Sequence, residues 1–251
     1  MGLLVPEDKT YDLSVRQTGF NRYKQLLSLR FWPWFKVNLI TTLGALPLIA
    51  GILYAILSTS VLVLIPCSLL GGMIFGPFLS GMYDAILRGL RDDPRPWRDS
   101  YVRSWKQNWK SSLLPGAVLG LLLGVYAFMG MLMWWAVTPP STMTVVLYLL
   151  SGLLIILVCT LYWPQMVLFR QKSLDRIRNI ILFTAKYLWR VLGVSVLQLG
   201  YWAIYVLFAP WTLLLIPILG VWYIVFLSQF LIYDALNEEL QIEESYRKAQ
   251  V

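Results

Sequence analysis

The sequence contains no histidine and only two cysteines, and three long stretches of it lack any charged side chain. Without histidine the commonest general base and metal ligand is missing, and two widely separated cysteines supply neither a zinc pattern nor a disulfide framework. No Gly-x-x-x-x-Gly-Lys phosphate loop and no Gly-x-Ser-x-Gly nucleophile elbow occurs. These absences argue against metalloenzyme, nucleotide-hydrolase and serine-hydrolase chemistry, so the expectation is a protein that is not an enzyme and needs no cofactor or metal. Cys67 and Cys159 read as small buried hydrophobes.

Charge is confined to four blocks, residues 1–36, 84–110, 170–190 and 234–251, and the stretches between them run to 47, 59 and 43 residues. A membrane-crossing helix needs about 20 apolar residues at ~1.5 Å each, so each stretch has room for two crossings and a turn. With 58% apolar residues and 14% charged, the chain has too little polar surface for a soluble globule. The predicted fold is all-α: a polytopic bundle of six transmembrane helices arranged as three hairpins. The spans fall near 37–57, 67–89, 112–136, 145–169, 190–209 and 212–236, within a single membrane domain over 1–251.

Lys and Arg number 6, 7, 6 and 2 in the four blocks and are absent from the three connections within hairpins. Cations are retained on the cytoplasmic side, so both termini are expected there, in a plasma membrane. Six cations precede the first apolar run, which is unlike a secretory signal, and Pro6 stands where a myristoylation pattern after Gly2 wants Ser or Thr. Paired Pro139 and Pro140 beside Thr138 and Ser141 mark the second turn; Ala209 and Pro210 mark the third. Ser58 to Ser60 offer the first turn, but Val61 to Pro66 is apolar as well and permits a connection that dips into the bilayer.

Each odd-numbered span follows an amphipathic segment ending in an aromatic and a cation: Phe35-Lys36, Trp109-Lys110 and Trp189-Arg190. Helical spacing aligns Phe20, Tyr23, Leu27, Phe31 and Trp34 in the first, Trp97, Tyr101, Trp105 and Trp109 in the second, and Leu174, Ile177, Ile181 and Leu188 in the third. A helix with such a stripe and a basic remainder suits the headgroup plane, which predicts three tandem units of an interfacial amphipathic helix plus a hairpin, on the cytoplasmic side. The candidate interfacial or partner-docking residues are Trp97, Tyr101, Arg103, Trp105, Lys106, Trp109 and Lys110. Because the basic blocks abut spans and carry interfacial aromatics, anionic lipid headgroups or an acidic partner fit them better than nucleic acid.

Gly72, Gly76 and Ser80, and again Gly116, Gly120 and Gly124, recur four apart. Small residues at that spacing let helix backbones approach closely, within the monomer, across a dimer or beside a pore. The span interiors hold no Asp, Glu, Lys or Arg, which disfavours an ion-coupled carrier. Asn38, Thr160, Gln165, Gln198 and Gln229 remain there, either to bond across helices or to bind a neutral solute. Asp84 and Asp234 share a Tyr-Asp-Ala context and read as ion-pairing or solvated carboxylates, with Arg of the amphipathic helices as expected partners.

Around the second charged block the chain carries Gly76-Pro77-Phe78, Gly81-Met82-Tyr83-Asp84, Leu87-Arg88, Leu90-Arg91-Asp92, Trp97, Tyr101, Trp105, Asn108-Trp109 and Leu114-Pro115-Gly116. With Phe31-Trp32, Lys36-Val37-Asn38-Leu39 and Leu46-Pro47 before them, residues 30–125 resemble the YesL-like family of small bacterial membrane proteins. The resemblance implies a bacterial protein, often encoded beside sugar-uptake ABC transporters, and transfers no functional residue. The expected function is a non-enzymatic accessory or assembly component of a carbohydrate-uptake system, with an ABC transporter permease or a signalling protein as partner; the alternative is a carrier or channel for a neutral solute.

Overall fold

The computed structural model describes residues 16–93, 95–169 and 171–244. Gly2, Pro6, Arg247 and Lys248 lie outside the described residues, so the readings placed on them have no structural counterpart. Seven α-helices follow in order: α1 Gly19–Leu57, α2 Val61–Leu90, α3 Trp97–Trp135, α4 Thr142–Leu168, α5 Ser173–Lys186, α6 Leu188–Leu207 and α7 Ile216–Leu240, the last preceded by a 3-10 turn at Trp211–Leu215. Six of the helical segments, all but α5, are long and apolar enough to cross a membrane. The chain is a multi-pass integral membrane protein.

Its surface agrees with lipid as solvent. Between 22% and 44% of each apolar window is buried inside the bundle, and Leu147, Leu150, Leu154, Val196 and Ile204 are among many large aliphatic side chains left on the outside. In water such a continuous apolar surface would drive association; in a bilayer it meets its own kind. Since lipid also removes the hydrophobic drive between helices, close packing and hydrogen bonds must hold them together.

The central element is α2, whose residues from Phe75 to Leu90 are nearly all buried. On one side it meets α1 and α7, where Trp34 packs 4.5 Å from Phe226 and 5.8 Å from Trp222, ring centre to ring centre, and donates its indole N–H to Ala85 O at 3.3 Å. On the other side lies α3. A second cluster, with Leu161, Phe183, Val194, Ile232 and Leu236, joins α4 to α5, α6 and α7; a small third one of Ala55, Leu64, Phe128 and Met131 closes the charge-free end.

The first turn is tighter than the sequence suggests. Thr59 adopts a left-handed conformation (φ 49°) and α2 starts at Val61, so Val61 to Pro66 is helix and not a separate connection. In the second turn Ser141 caps α4, its hydroxyl accepting from Thr144 N at 3.2 Å. The α3 and α4 helices meet through Tyr126 and Tyr148, stacked 4.2 Å apart.

Two of the three amphipathic segments are not separate helices. Residues 19–36 and 97–110 run without interruption into α1 and α3, each 39 residues long, and only the third segment forms its own helix, α5, ending at Lys186. Pro33 and Pro115 sit inside the continuous helices without breaking them. The physical reason lies in packing: apart from the exposed end residues Phe20 and Trp109, the first two stripes face the bundle. Tyr23 stacks on Phe226 at 5.5 Å, Phe31 meets Trp222 at 5.7 Å, and Tyr101 is buried beside Gly81. A segment whose apolar face is covered by its own neighbours has no reason to turn into the membrane plane.

Candidate functional site at the charged end

The charged ends of α1 and α2 meet the loop before α3 in an ion-pair network. Arg22, buried despite its charge, places Nη2 2.7 and 2.6 Å from the two carboxylate oxygens of Asp92, in the turn after α2. Arg88 links Asp84 on its own helix at 2.6 Å to Asp93 at 2.8 Å, and Arg95 closes on Asp93 at 2.6 Å. Arg30 donates to the Asp93 carbonyl at 2.9 Å. The turn 91–93 is therefore held from α1, from α2 and from the loop that leads into α3.

Asp93 is the hub, its side chain 1% exposed. Burial by itself would raise its pKa, but hydrogen bonds from the Arg95 side chain and backbone and from Arg88 outweigh that and hold it well below the ordinary carboxylate value of 3.8. Such a network fixes the geometry between α2 and α3. It also pairs the carboxylates of Asp84, Asp92 and Asp93 with arginine side chains.

The shared Tyr-Asp-Ala context does not give a shared environment. Asp84 is buried and pairs with Arg88, four residues on in the same helix, whereas Asp234 is exposed. The expected partners on the amphipathic segments are replaced by a nearer one, because a one-turn spacing lets Arg88 reach Asp84 with no tertiary contact.

Of the docking candidates, the structure separates two groups on one helix. Tyr101 is buried, its hydroxyl donating to Phe78 O at 3.4 Å; Trp97 and Trp105 are half-buried, with Lys36 Nζ 5.5 Å over the Trp97 ring and Phe78 6.1 Å from Trp105. These three pack against the bundle. Arg103, Lys106, Trp109 and Lys110 are exposed, and Arg98, Arg103 and Lys106 line a shallow surface groove with Asp99, Val102 and Gln107. Sequence reasoning missed the Arg22, Asp92, Asp93 and Arg95 contacts. The cue was the Asp92-Asp93 pair between Arg91 and Arg95.

The small-residue stripes face each other. A methyl group on Gly76 would stand 3.0 Å from Gly116 Cα, one on Gly120 2.6 Å from Gly72 Cα, and one on Gly116 2.8 Å from Gly76 Cα. The α2 and α3 backbones touch here inside the monomer. Gly124 lies against the Ser68 side chain, and Ser80 is buried with its hydroxyl donating to Pro77 O at 2.8 Å.

The intramembrane polar residues also have partners. Gln198 Nε2 donates to Thr160 Oγ1 at 2.6 Å, Gln229 Nε2 to Thr160 O at 3.0 Å and Gln165 Nε2 to Leu161 O at 3.2 Å. Thr160 thereby joins α4 to α6 and α7. The carbonyl oxygens of the Gln165 and Gln229 side chains are buried without a hydrogen-bond donor.

Residues 56–129, from the end of α1 through α2 to late α3, match the family described as "Protein of unknown function, DUF624". Over these residues the chain is similar to the DUF624 family. No curated protein and no solved structure matches it. The DUF624 region contains the glycine contact, the Asp93 hub and the exposed cations of α3. The earlier segments that share the resemblance, Phe31-Trp32, Lys36 to Leu39 and Leu46-Pro47, precede it.

Proposed function

We propose that this small bacterial membrane protein is a non-enzymatic accessory or assembly component of a carbohydrate-uptake system, docking a transporter permease through the start of α3. The supporting observation is the exposed cationic face of Arg98, Arg103 and Lys106, raised on a helix whose Trp97, Tyr101 and Trp105 already pack against the bundle. A helix of 39 residues is about 58 Å long, roughly twice the ~30 Å hydrocarbon core. Its first turns therefore project beyond the leaflet, and the Asp93 network braces their exit angle. Positively charged ends stay inside, so this face and both termini are cytoplasmic. An acidic surface on the partner would complement it and fix its orientation. The carbohydrate system itself rests on the family resemblance.

A neutral-solute carrier is the second reading, and the two donor-less amide oxygens of Gln165 and Gln229 favour it. Against it stand the amide nitrogens of Gln165, Gln198 and Gln229, all engaged with protein oxygens. The distinguishing experiment reconstitutes the purified protein in liposomes and captures it from its native membrane. An accessory gives no saturable sugar uptake alone and recovers a transporter subunit in fixed ratio. Saturable uptake by the protein alone, abolished by Gln165→Ala or Gln198→Ala, replaces it with the carrier.

A further inference from the structure

Of the three amphipathic segments, α5 alone turns its aliphatic stripe outward. Leu174 is 79% exposed, Ile181 63%, and Ile177 and Leu182 are exposed with them, while the opposite side of the helix buries Arg176, Ile180 and Phe183. That inward side is anchored on α4 and α6: the Arg176 guanidinium lies 5.6 Å over the Tyr162 ring, and Ile180 and Phe183 join Leu161, Val191 and Val194. The stripe is thus not exposed for want of folding; the helix has already used its other face.

We infer that α5 lies in the headgroup layer of the bilayer at the charged end of the bundle, its stripe dipped into the acyl boundary and its cations on anionic lipid phosphates. Three observations point to lipid as the occupant. Exposed Lys172, Arg178 and Arg190 flank the stripe with the charge that an anionic leaflet attracts. Immediately after the helix, Leu188 and the 83%-exposed Trp189 continue the apolar surface toward the outer side of α6, between the exposed cations Lys186 and Arg190. Trp is the side chain that favours the headgroup level. A helix of 14 residues is about 21 Å long, too short to cross, which leaves the interface as the place where both its faces are satisfied.

The test uses the full chain with Cys67 and Cys159 replaced by alanine, a nitroxide attached at Ile181→Cys or, as a reference, Asp175→Cys, and vesicles of phosphatidylcholine with or without phosphatidylglycerol. Both positions are exposed, so the label itself displaces no core group. At Ile181 the radical should be relaxed more by dissolved oxygen than by a water-soluble nickel chelate, with the ratio reversed at Asp175. Adding phosphatidylglycerol should deepen the Ile181 position, and Arg178→Gln should lessen that shift. Equal exposure of both labels to the nickel chelate would leave α5 in open solvent and overturn the inference. Protection of Ile181 from both relaxants would overturn it too, placing a second copy or another protein on the stripe.

Discussion

Asn38 of α1 fills the break in α7 at Gly220. The α7 helix departs from helical geometry at that glycine (φ −28°, ψ −122°), which frees backbone groups on both sides. Asn38 Oδ1 accepts from Val221 N at 3.0 Å and Trp222 N at 3.3 Å, while Nδ2 donates to Ile216 O and Pro217 O, each at 2.9 Å. The Tyr201 hydroxyl sits 2.9 Å from the Leu219 and Gly220 carbonyls. In hydrocarbon a broken helix persists only if its loosened groups find such partners.

Replacing Asn38 with Leu should therefore destabilise the protein more than loss of one contact would suggest. Each buried backbone group left unpaired costs about 1–3 kcal/mol, so a total on the order of 3 kcal/mol or more is expected in thermal unfolding in detergent. Tyr201→Phe, which removes a single hydroxyl, should cost less. Equal stability of Asn38→Leu and wild type would mean that the break repairs itself.

The glycine contact allows a comparison with internal controls. Gly120→Leu should separate α2 from α3 and lower stability by on the order of 1–3 kcal/mol, as overpacking does. Gly193→Ala and Gly200→Ala, where a methyl group would meet nothing within 4 Å, should change little. Denaturation in mixed micelles ranks the three, and a neutral Gly120→Leu would turn that face toward lipid.

The Asp93 network sets a pH dependence. Its folded-state pKa lies below the ordinary 3.8, so its stabilisation is complete above pH 3.8 and is lost as pH falls through the lower folded value. Asp93→Asn should be less stable than wild type by about 1.5–3 kcal/mol at neutral pH, the range for hydrogen bonds to charged groups. The gap should stay constant down to the carboxylate range and narrow only below it. A gap that opens as pH falls would have the wrong sign.

Orientation follows from accessibility to a membrane-impermeant thiol reagent in a background lacking Cys67 and Cys159. Ser141→Cys, exposed at the charge-free end, should react in intact cells; Asp99→Cys and Ser173→Cys, exposed at the charged end, should react only after permeabilisation. Ser100, beside Asp99, is buried and would stay silent on either side, so it is unsuitable as a reporter.

Six apolar crossings were legible in the sequence because charge and hydropathy act over whole helices, and Gly72, Gly76, Gly116 and Gly120 were legible as a close-packing pattern. What the pattern could not say is which surfaces the amphipathic faces meet. Tyr101 and Ile181 both lie on an apolar stripe beside cations, yet one is covered by α2 and the other is exposed. That difference is tertiary: Gly81 leaves room for the Tyr101 ring. The Asn38 clasp was hidden for the same reason, since Asn38 and Gly220 are remote in the chain and only the fold joins them. Asp84 misled because a recurring tripeptide fixes no partner when Arg88 stands one turn away.

The most direct test of the accessory role is a photo-crosslinking amino acid at Arg103, irradiated in the native membrane with the full chain at its natural level. A docking face on α3 should yield one adduct with a permease subunit of a carbohydrate transporter, and Lys106→Glu should weaken that adduct. Adducts with lipid or with other copies of this chain alone, unaltered by Lys106→Glu, would contradict it.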